Sequence, residues 1–177
     1  MRIQKLNSDT KKNLLEDLLK RSPNNYGQYE ASVKEILDKV KEEKDAAVFA
    51  YTAKFDGAEL TADTIEVTDA EIEEAYAQVD DTLRKSLVNI RTYHAKQRQN
   101  SWFDSKPDGT ILGQKITPLH RVGVYVPGGK AVYPSSVLMN VMPAKVAGVD
   151  EIIMVTPPGK NGKVSPNTLV AAKEAGV

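Results

Sequence analysis

The chain has 177 residues, 41% hydrophobic and 27% charged, which predicts one globular domain or a domain and a half. Its 24 basic and 24 acidic side chains balance, so it lacks the overall basicity of a nucleic-acid-binding protein. Because there is no cysteine, disulfides, thiolate metal sites and a cysteine nucleophile are excluded. The first residues lack the apolar stretch of a signal peptide, and no apolar run is long enough to span a bilayer.

Residues 1–106 are predicted to be a mainly helical region. A first helix is expected to begin with Ser8 or Asp9 as its N-cap and to stop at Pro23. A second helix is expected within residues 29–45. The apolar positions that repeat at helical spacing in these two segments, and so predict their inward faces, are Leu14, Leu15, Leu18, Leu19, Val33, Ile36, Leu37 and Val40.

A third helix is predicted between Asp45, as its cap, and Gly57, which can adopt the left-handed C-cap conformation. Residues 64–68 are expected to be extended, and Thr68 followed by Glu71 is a capping box that starts a fourth helix. The charged faces are predicted to be solvated, with a helical partner-binding module as the alternative. The side chains expected to face inward here, and in a last helix over residues 81–99, are Val48, Phe49, Thr52, Phe55, Ile72, Tyr76, Val79, Leu83, Leu87, Ile90 and His94.

Residues 107–177 are predicted to form the first part of a parallel α/β sheet. The turn Pro107-Asp108-Gly109 marks the boundary, where Trp102 and Phe103 are expected to pack between the two halves. The expected elements are strands at 110–117 and 121–126, which could form a hairpin, a helix at 135–147, a strand within 151–158 and a helix at 165–174. This alternation of strands and helices is typical of a parallel α/β sheet.

The helix at 135–147 is apolar on nearly every side, which predicts that it is buried on more than one face. Ser135 or Ser136 is expected to cap it, and Pro143 inside it predicts a kink. The helix passes to a strand through Gly148-Val149, and the same pattern recurs at Gly176-Val177. We therefore expect a truncated part of a larger α/β enzyme, with a natural small domain as the alternative.

The turn after the strand at 121–126 is the candidate ligand site. Glycines in Pro127-Gly128-Gly129 would let a ligand approach the backbone, although the pattern is not a dinucleotide fingerprint. Tyr125 ends the strand, where ligands bind in open α/β sheets, and its ring could stack on a base or ribose. A structural turn with a core tyrosine is an equally good interpretation of the pattern.

No other catalytic pattern is present in the sequence. His94 continues an apolar helix stripe and is predicted to be a packed side chain, while His120 is placed in a loop. No residue spacing predicts a metal site, a nucleophile elbow or a phosphate-binding P-loop. These patterns therefore point to no metal site and no activated nucleophile.

The segment RVGVYVPGGKAVYPSSVLMNVMPAKVAGVDEIIMVTPP resembles the nucleotide domain of histidinol dehydrogenases. The resemblance extends back through LGQKITPL and AYTAKFDG and covers essentially the whole chain. Members of that family oxidise L-histidinol to L-histidine through the aldehyde in two NAD-dependent steps. The resemblance implies a zinc-dependent, cytoplasmic homodimer with two incomplete Rossmann-like domains, and residues 107–177 would be the first part of its Rossmann-like NAD-binding domain. No nucleic acid or membrane is expected as a partner.

The same resemblance assigns the site residues. The family's NAD-site tyrosine matches Tyr125, and Pro127 and Gly128 adjoin it. The family's Glu-His acid/base pair, and the Gln, His, Asp and second His that hold zinc, lie later in its chain and match nothing here. We therefore expect the chain to be an N-terminal fragment, inactive alone. The alternatives are a non-catalytic nucleotide-binding fragment and a self-associating structural fragment.

Overall fold

The computed structural model describes residues 7–12, 26–128 and 132–177. The chain divides into two compact units, residues 1–48 and 49–177, which we describe separately. The functional boundary predicted between residues 106 and 107 stays a prediction.

The first unit begins with a helical segment at residues 8–12. The Asn7 side-chain oxygen accepts a hydrogen bond from the Thr10 backbone N–H at 2.8 Å, so Asn7 is the N-cap. The prediction of Ser8 or Asp9 as the N-cap was wrong by one or two residues, since both lie inside the helical segment. Asparagine is as good an N-cap residue as serine or aspartate, so the residue type alone did not decide between them. The leucines predicted at 14–19 and the stop at Pro23 lie outside the described residues.

Helix α1 spans Gly27–Glu43, close to the predicted range. Its apolar stripe is not buried, since the side chains of Val33 and Leu37 are 51% and 64% exposed. The helix ends at Lys44, whose backbone has a positive φ of 53° and whose N–H donates to the Val40 carbonyl. The helical spacing therefore predicted the helix correctly but not the burial of its apolar face.

Helix α2 spans Asp45–Phe55 and crosses into the second unit. Asp45 is its first helical residue rather than its cap, because the break at Lys44 already supplies the carbonyl that Ala47 and Val48 bond. Phe55 was expected to face inward, but its side chain is 60% exposed and stacks on Tyr51 with ring centroids 5.5 Å apart. Gly57 has the predicted left-handed backbone, with φ of 69°.

Residues 64–68 were expected to be extended, but residues 64–66 form a turn and a bend, while Thr68 has extended backbone dihedrals. The backbone N–H groups of Thr64 and Ile65 both donate to the Thr61 carbonyl. The Thr64 hydroxyl accepts a hydrogen bond from the Thr61 backbone N–H at 2.9 Å. Such local threonine bonds compete with an extended conformation, which explains the wrong prediction.

Two helices follow the turn. Helix α3 spans Asp69–Tyr76 and begins with the predicted capping box, in which Thr68 and Glu71 each bond the backbone N–H of the other. Helix α4 spans Thr82–Ala95, shorter than the predicted 81–99. The stripe predicted on α4 is confirmed for Leu83, Leu87 and Ile90, which pack against the main core. His94, predicted as its fourth member, is only partly buried and bonds the Gln97 side chain instead.

The second unit contains two separate two-stranded sheets. Strands β1 (Trp102–Ser105) and β2 (Ile111–Gln114) form an antiparallel hairpin around the predicted turn. Strands β3 (Arg121–Tyr125) and β4 (Glu151–Val155) are parallel and in register from Arg121 opposite Glu151 to Tyr125 opposite Val155. The hairpin suggested between 110–117 and 121–126 is therefore wrong, since each of these strands pairs with a different partner.

Helix α5 (Pro134–Ala147) connects the parallel strands, and α6 (Pro166–Ala175) follows β4. Pro134 occupies the first turn and Tyr133 is the N-cap without a side-chain bond, so neither Ser135 nor Ser136 caps the helix. One face of α5 forms the core, whereas Met139 is 60% exposed, so the helix is not buried all round. The fully buried core side chains with the largest volumes are Leu138, Val126, Val137 and Val141.

The C-termini of α5 and α6, where the Gly-Val pattern recurs in the sequence, have the same geometry. Gly148 after α5 has φ of 90°, and Gly176 after α6 has φ of 85°. The next residue donates its backbone N–H to the helix in both, from Val149 to Ala144 at 3.0 Å and from Val177 to Ala172 at 3.1 Å. The repeated sequence pattern therefore has a repeated C-cap geometry, and the predicted strand follows the first of the two caps as β4.

Candidate nucleotide site

The parallel strands β3 and β4 end at one edge, which is where ligands bind in open α/β sheets. At this edge the Val126 N–H donates to the Val155 carbonyl at 3.0 Å, so the backbone pairing continues one residue beyond β3. Val126 is fully buried, whereas the neighbouring Tyr125 side chain is 62% exposed. Tyr125 is therefore not a core tyrosine, and its ring is open to a ligand.

The loops after the two strands touch each other at Gly128. A Cβ atom placed on Gly128 would lie 2.6 Å from the Pro157 carbonyl oxygen and 2.9 Å from the Thr156 hydroxyl. No real side chain tolerates such distances without a shift of backbone. Glycine is therefore required at this position by packing between the loops, while the preceding Pro127 is exposed.

A cavity of about 220 Å³ opens beside this contact. Gly128 and Val132 line it from the β3 side, and Thr156, Pro157 and the start of α6 at Ser165 line it from the other. Small-molecule sites usually have volumes of about 300–1,000 Å³. This cavity is therefore large enough for part of a dinucleotide only.

One basic side chain also lines the cavity. The Lys163 ammonium lies 3.7 Å from a carboxylate oxygen of Glu74 in α3, and both side chains are more than half exposed. An exposed pair of this kind is weak and leaves the ammonium able to exchange partners. Lys163 thus brings a positive charge to this edge of the sheet, which suits a phosphate-bearing ligand.

The two histidines are far from forming a metal centre. His94 Nδ1 lies 2.6 Å from the Gln97 side-chain oxygen, and His120 Nδ1 lies 3.1 Å from Asp150 in an exposed pair. Within residues 7–12, 26–128 and 132–177, no three His, Asp or Glu side chains are placed to hold a metal ion. The described residues therefore do not fit a zinc ion.

A partly buried hydrogen-bond network that the sequence did not predict links α3, α4 and α6. The Tyr76 hydroxyl donates to Glu174 Oε1 at 2.8 Å, and Arg84 Nε donates to the same oxygen at 3.0 Å. The hydrogen bond from Tyr76 and the nearby Arg84 guanidinium hold the pKa of Glu174 below its ordinary value. Burial, followed by the bond to Glu174, raises the pKa of Tyr76. No sequence spacing reveals this network, because its partners are 90 or more residues apart.

The sequence pattern indicated the residues that follow β3 at the candidate site, but not those in the loop that follows β4. The structure brings Thr156 and Pro157, which follow β4, into contact with the predicted Gly128. The signal was available, because the rule that placed a ligand at the end of β3 applies equally to the parallel strand β4. Tyr125 itself is not among the residues that line the small cavity.

The fold and this edge place the chain in a class: an α/β protein with an open parallel sheet and a candidate ligand site at the carboxyl ends of its strands. Within the described part of the chain, no helix is long and apolar enough to cross a membrane. Comparison with known proteins makes the assignment more specific. A family model described as histidinol dehydrogenase matches residues 19–177.

Individual relatives agree with this match. The chain is 55% identical over 150 residues to the histidinol dehydrogenase of Bacillus subtilis, covering 82% of this chain and 35% of that protein. It is 54% identical over 149 residues to the histidinol dehydrogenase of Heliobacterium mobile, with the same coverage. The crystal structure of histidinol dehydrogenase from Elizabethkingia anophelis superposes on 99% of this chain with a TM-score of 0.75 and 32% identity.

The chain belongs to the histidinol dehydrogenase family. It spans about a third of the length of these relatives, since it covers 35% of the two enzymes and 36% of the crystallised chain. The resemblance inferred from the sequence is thereby confirmed, together with the α/β fold.

Proposed function

We propose that this chain supplies the first part of the nucleotide site of an enzyme that oxidises L-histidinol to L-histidine with NAD, at the end of histidine biosynthesis. The observation that carries the proposal is the exposed Tyr125 ring at the carboxyl end of a parallel strand pair. The family match supports the reaction, and the sheet edge supports the place where the nucleotide binds.

Each residue of the site has a proposed role. The Tyr125 ring stacks on a flat part of the dinucleotide, since aromatic side chains bind bases through their faces. Pro127 fixes the backbone of the turn, and Gly128 holds the turn against the loop after β4. Lys163 offers a positive charge to a phosphate. NAD, when bound, would accept the hydride, and these residues would only bind and orient it.

Zinc and proton transfer are proposed to depend on polypeptide that this chain does not contain. The described carboxylates and histidines form no cluster that could hold a metal ion. The described part of the chain also shows no histidine paired with glutamate, since His94 contacts Gln97 and His120 contacts Asp150. We therefore expect no histidinol oxidation by these 177 residues alone. The active enzyme is proposed to be a cytoplasmic homodimer.

The test is a calorimetric titration of the chain with NAD. We expect saturable binding that Tyr125→Ala weakens about tenfold, because loss of one aromatic stack costs about 1–3 kcal/mol. The matched control is Tyr93→Ala, which removes a tyrosine of nearly equal exposure, 63%, from α4. No saturable binding, or equal affinity in Tyr125→Ala and the control, would contradict the proposal. A separate assay for histidinol oxidation by the isolated chain tests the expected inactivity.

A further inference from the structure

The β1–β2 hairpin is a preformed element. Its turn is closed by a hydrogen bond from the Gly109 N–H to the Lys106 carbonyl at 3.0 Å, and Gly109 has φ of 84°. Its base is fastened by Ser101, whose hydroxyl accepts from the Ile116 N–H at 2.8 Å and donates to the Ile116 carbonyl at 3.2 Å. The hairpin is therefore held at both ends by its own bonds.

Each face of the hairpin exposes two large apolar side chains. Strand residues alternate between faces, so Trp102 and Leu112 lie on one face and Phe103 and Ile111 on the other. Their exposed fractions are 55%, 52%, 66% and 66% in that order. A hairpin on a protein surface normally has one apolar and one polar face, so this one is built to be covered on two sides.

The described part of the chain leaves this hairpin uncovered. The two strands pack on each other, and neither makes an extensive contact with another helix or strand among those residues. An isolated two-stranded hairpin is marginally stable in water. Apolar faces of this kind mark an interaction surface.

We propose that the hairpin is a docking arm that inserts into the part of the histidinol dehydrogenase polypeptide that this chain does not cover. The length of the homologous chain supports this partner. The same fold forms 36% of the crystallised homologous chain, so about two thirds of that chain lies outside the match. That remaining polypeptide is large enough to cover both faces, and the match shows that this fold occurs within a longer chain. The inference rests on family membership and does not depend on NAD binding.

The experiment is co-expression of the tagged 177-residue chain with the part of the Bacillus subtilis enzyme that this chain does not cover. We expect the two polypeptides to purify together. The variants W102S/L112S and F103S/I111S, one for each face, should each reduce the recovered partner about tenfold or more, as expected for central aromatic contacts. The control variant V88S/Y93S alters two α4 side chains of similar exposure, 62% and 63%, and should leave recovery unchanged.

Two measurements keep folding and self-association apart from docking. Thermal unfolding of each hairpin variant should match that of the unaltered chain, because the altered side chains lie outside the core. Trp102 is the only tryptophan, so its emission reports the environment of the hairpin directly. Emission that changes with the concentration of the chain alone would show that a second copy covers the hairpin and would overturn the proposal. Failure to co-purify, or equal losses in the hairpin and control variants, would also overturn it.

Discussion

The two sheets of this protein contain two strands each, yet they differ in what surrounds them. Strands β3 and β4 are parallel and pack against α5, with Ile152 and Val126 in the buried core. Strands β1 and β2 are antiparallel, and their large side chains are more than half exposed. Strand pairing alone therefore does not make a core: β3 and β4 contribute side chains to the buried core, whereas the large side chains of β1 and β2 stay exposed.

The largest effect on the free energy of unfolding should come from truncating a leucine in the core, and the same substitution in the hairpin provides the comparison. Leu138→Ala in α5 should lower the free energy of unfolding by about 3–5 kcal/mol, because the side chain is fully buried. Leu112→Ala in the hairpin should change it by less than about 0.5 kcal/mol, since that side chain is 52% exposed. Urea unfolding followed by circular dichroism measures both. Similar losses would refute the distinction between the sheets.

Two glycine substitutions compare the same two sheets through steric overlap, one in the loop after β3 and one in the hairpin. Gly128→Ala should lower the free energy of unfolding by about 1–3 kcal/mol, because the new methyl group would overlap the Pro157 carbonyl. Gly113→Ala would place a methyl group 2.5 Å from the Phe103 ring and the Trp102 carbonyl. It should alter Trp102 fluorescence while leaving the unfolding midpoint unchanged. A large shift of the midpoint in Gly113→Ala would show that the hairpin unfolds together with the core.

The Glu174 network should give the next effect. Glu174→Gln should cost about 1–2 kcal/mol at neutral pH, because hydrogen bonds to a charged acceptor are stronger than those to an amide. The exposed Glu73→Gln in α3 is the control and should have little effect. Chemical unfolding of the three proteins at pH 7 provides the measurement. An unchanged midpoint in Glu174→Gln would mean that the network adds nothing to stability.

The same carboxylate predicts a pH dependence. The hydrogen bond from Tyr76, and the bond and charge of Arg84, lower the pKa of Glu174 below 4.5, so the folded state binds this proton less readily than the unfolded state. Its contribution is therefore fully present above the unfolded pKa and is lost as the pH falls through the lower folded pKa. The stability difference between the chain and Glu174→Gln should shrink in that range. A difference that grows towards acid pH would contradict this sign.

The smallest effect is expected from the capping box. Thr68→Ala removes the hydroxyl that accepts the Glu71 backbone N–H and should cost about 1 kcal/mol. Thr92→Ala is the control, since the Thr92 hydroxyl bonds the Val88 carbonyl within a helix and caps nothing. Thermal unfolding distinguishes the two variants. Equal shifts would indicate that loss of a threonine hydroxyl, rather than of the cap, sets the effect.

Local features were predictable from the sequence because local physics fixes them. The Thr68–Glu71 box, the Gly57 cap and the turn at Pro107–Gly109 all lie as predicted. Strand partners were not predictable, because β2 lies between β1 and β3 in the sequence and its local pattern does not say which of them it pairs with. The structure shows that β1 pairs with β2 and β3 with β4. The same limit explains the exposed Leu37 on α1, since helical spacing predicts an apolar face but not what lies over it.

At the candidate site, the sequence predicted the residues after β3 but not the residues after β4 at the same edge of the sheet. Tyr125, Pro127 and Gly128 follow one strand and could be chosen by pattern and family resemblance. The role of Thr156 and Pro157 depends on the parallel pairing of β3 with β4, which brings their loop onto Gly128. A residue whose role depends on register becomes visible only when the register is known.

The most direct test of the proposed site is an amide-resonance map of the chain during titration with NAD. We predict that shifts concentrate at Tyr125–Gly128 and in the loop from Thr156 to the start of α6, with the hairpin resonances unchanged. Shifts centred on the hairpin, or on the separate cavity between His94 and Pro118, would contradict it. So would a spectrum that NAD leaves unchanged at concentrations that saturate dehydrogenases.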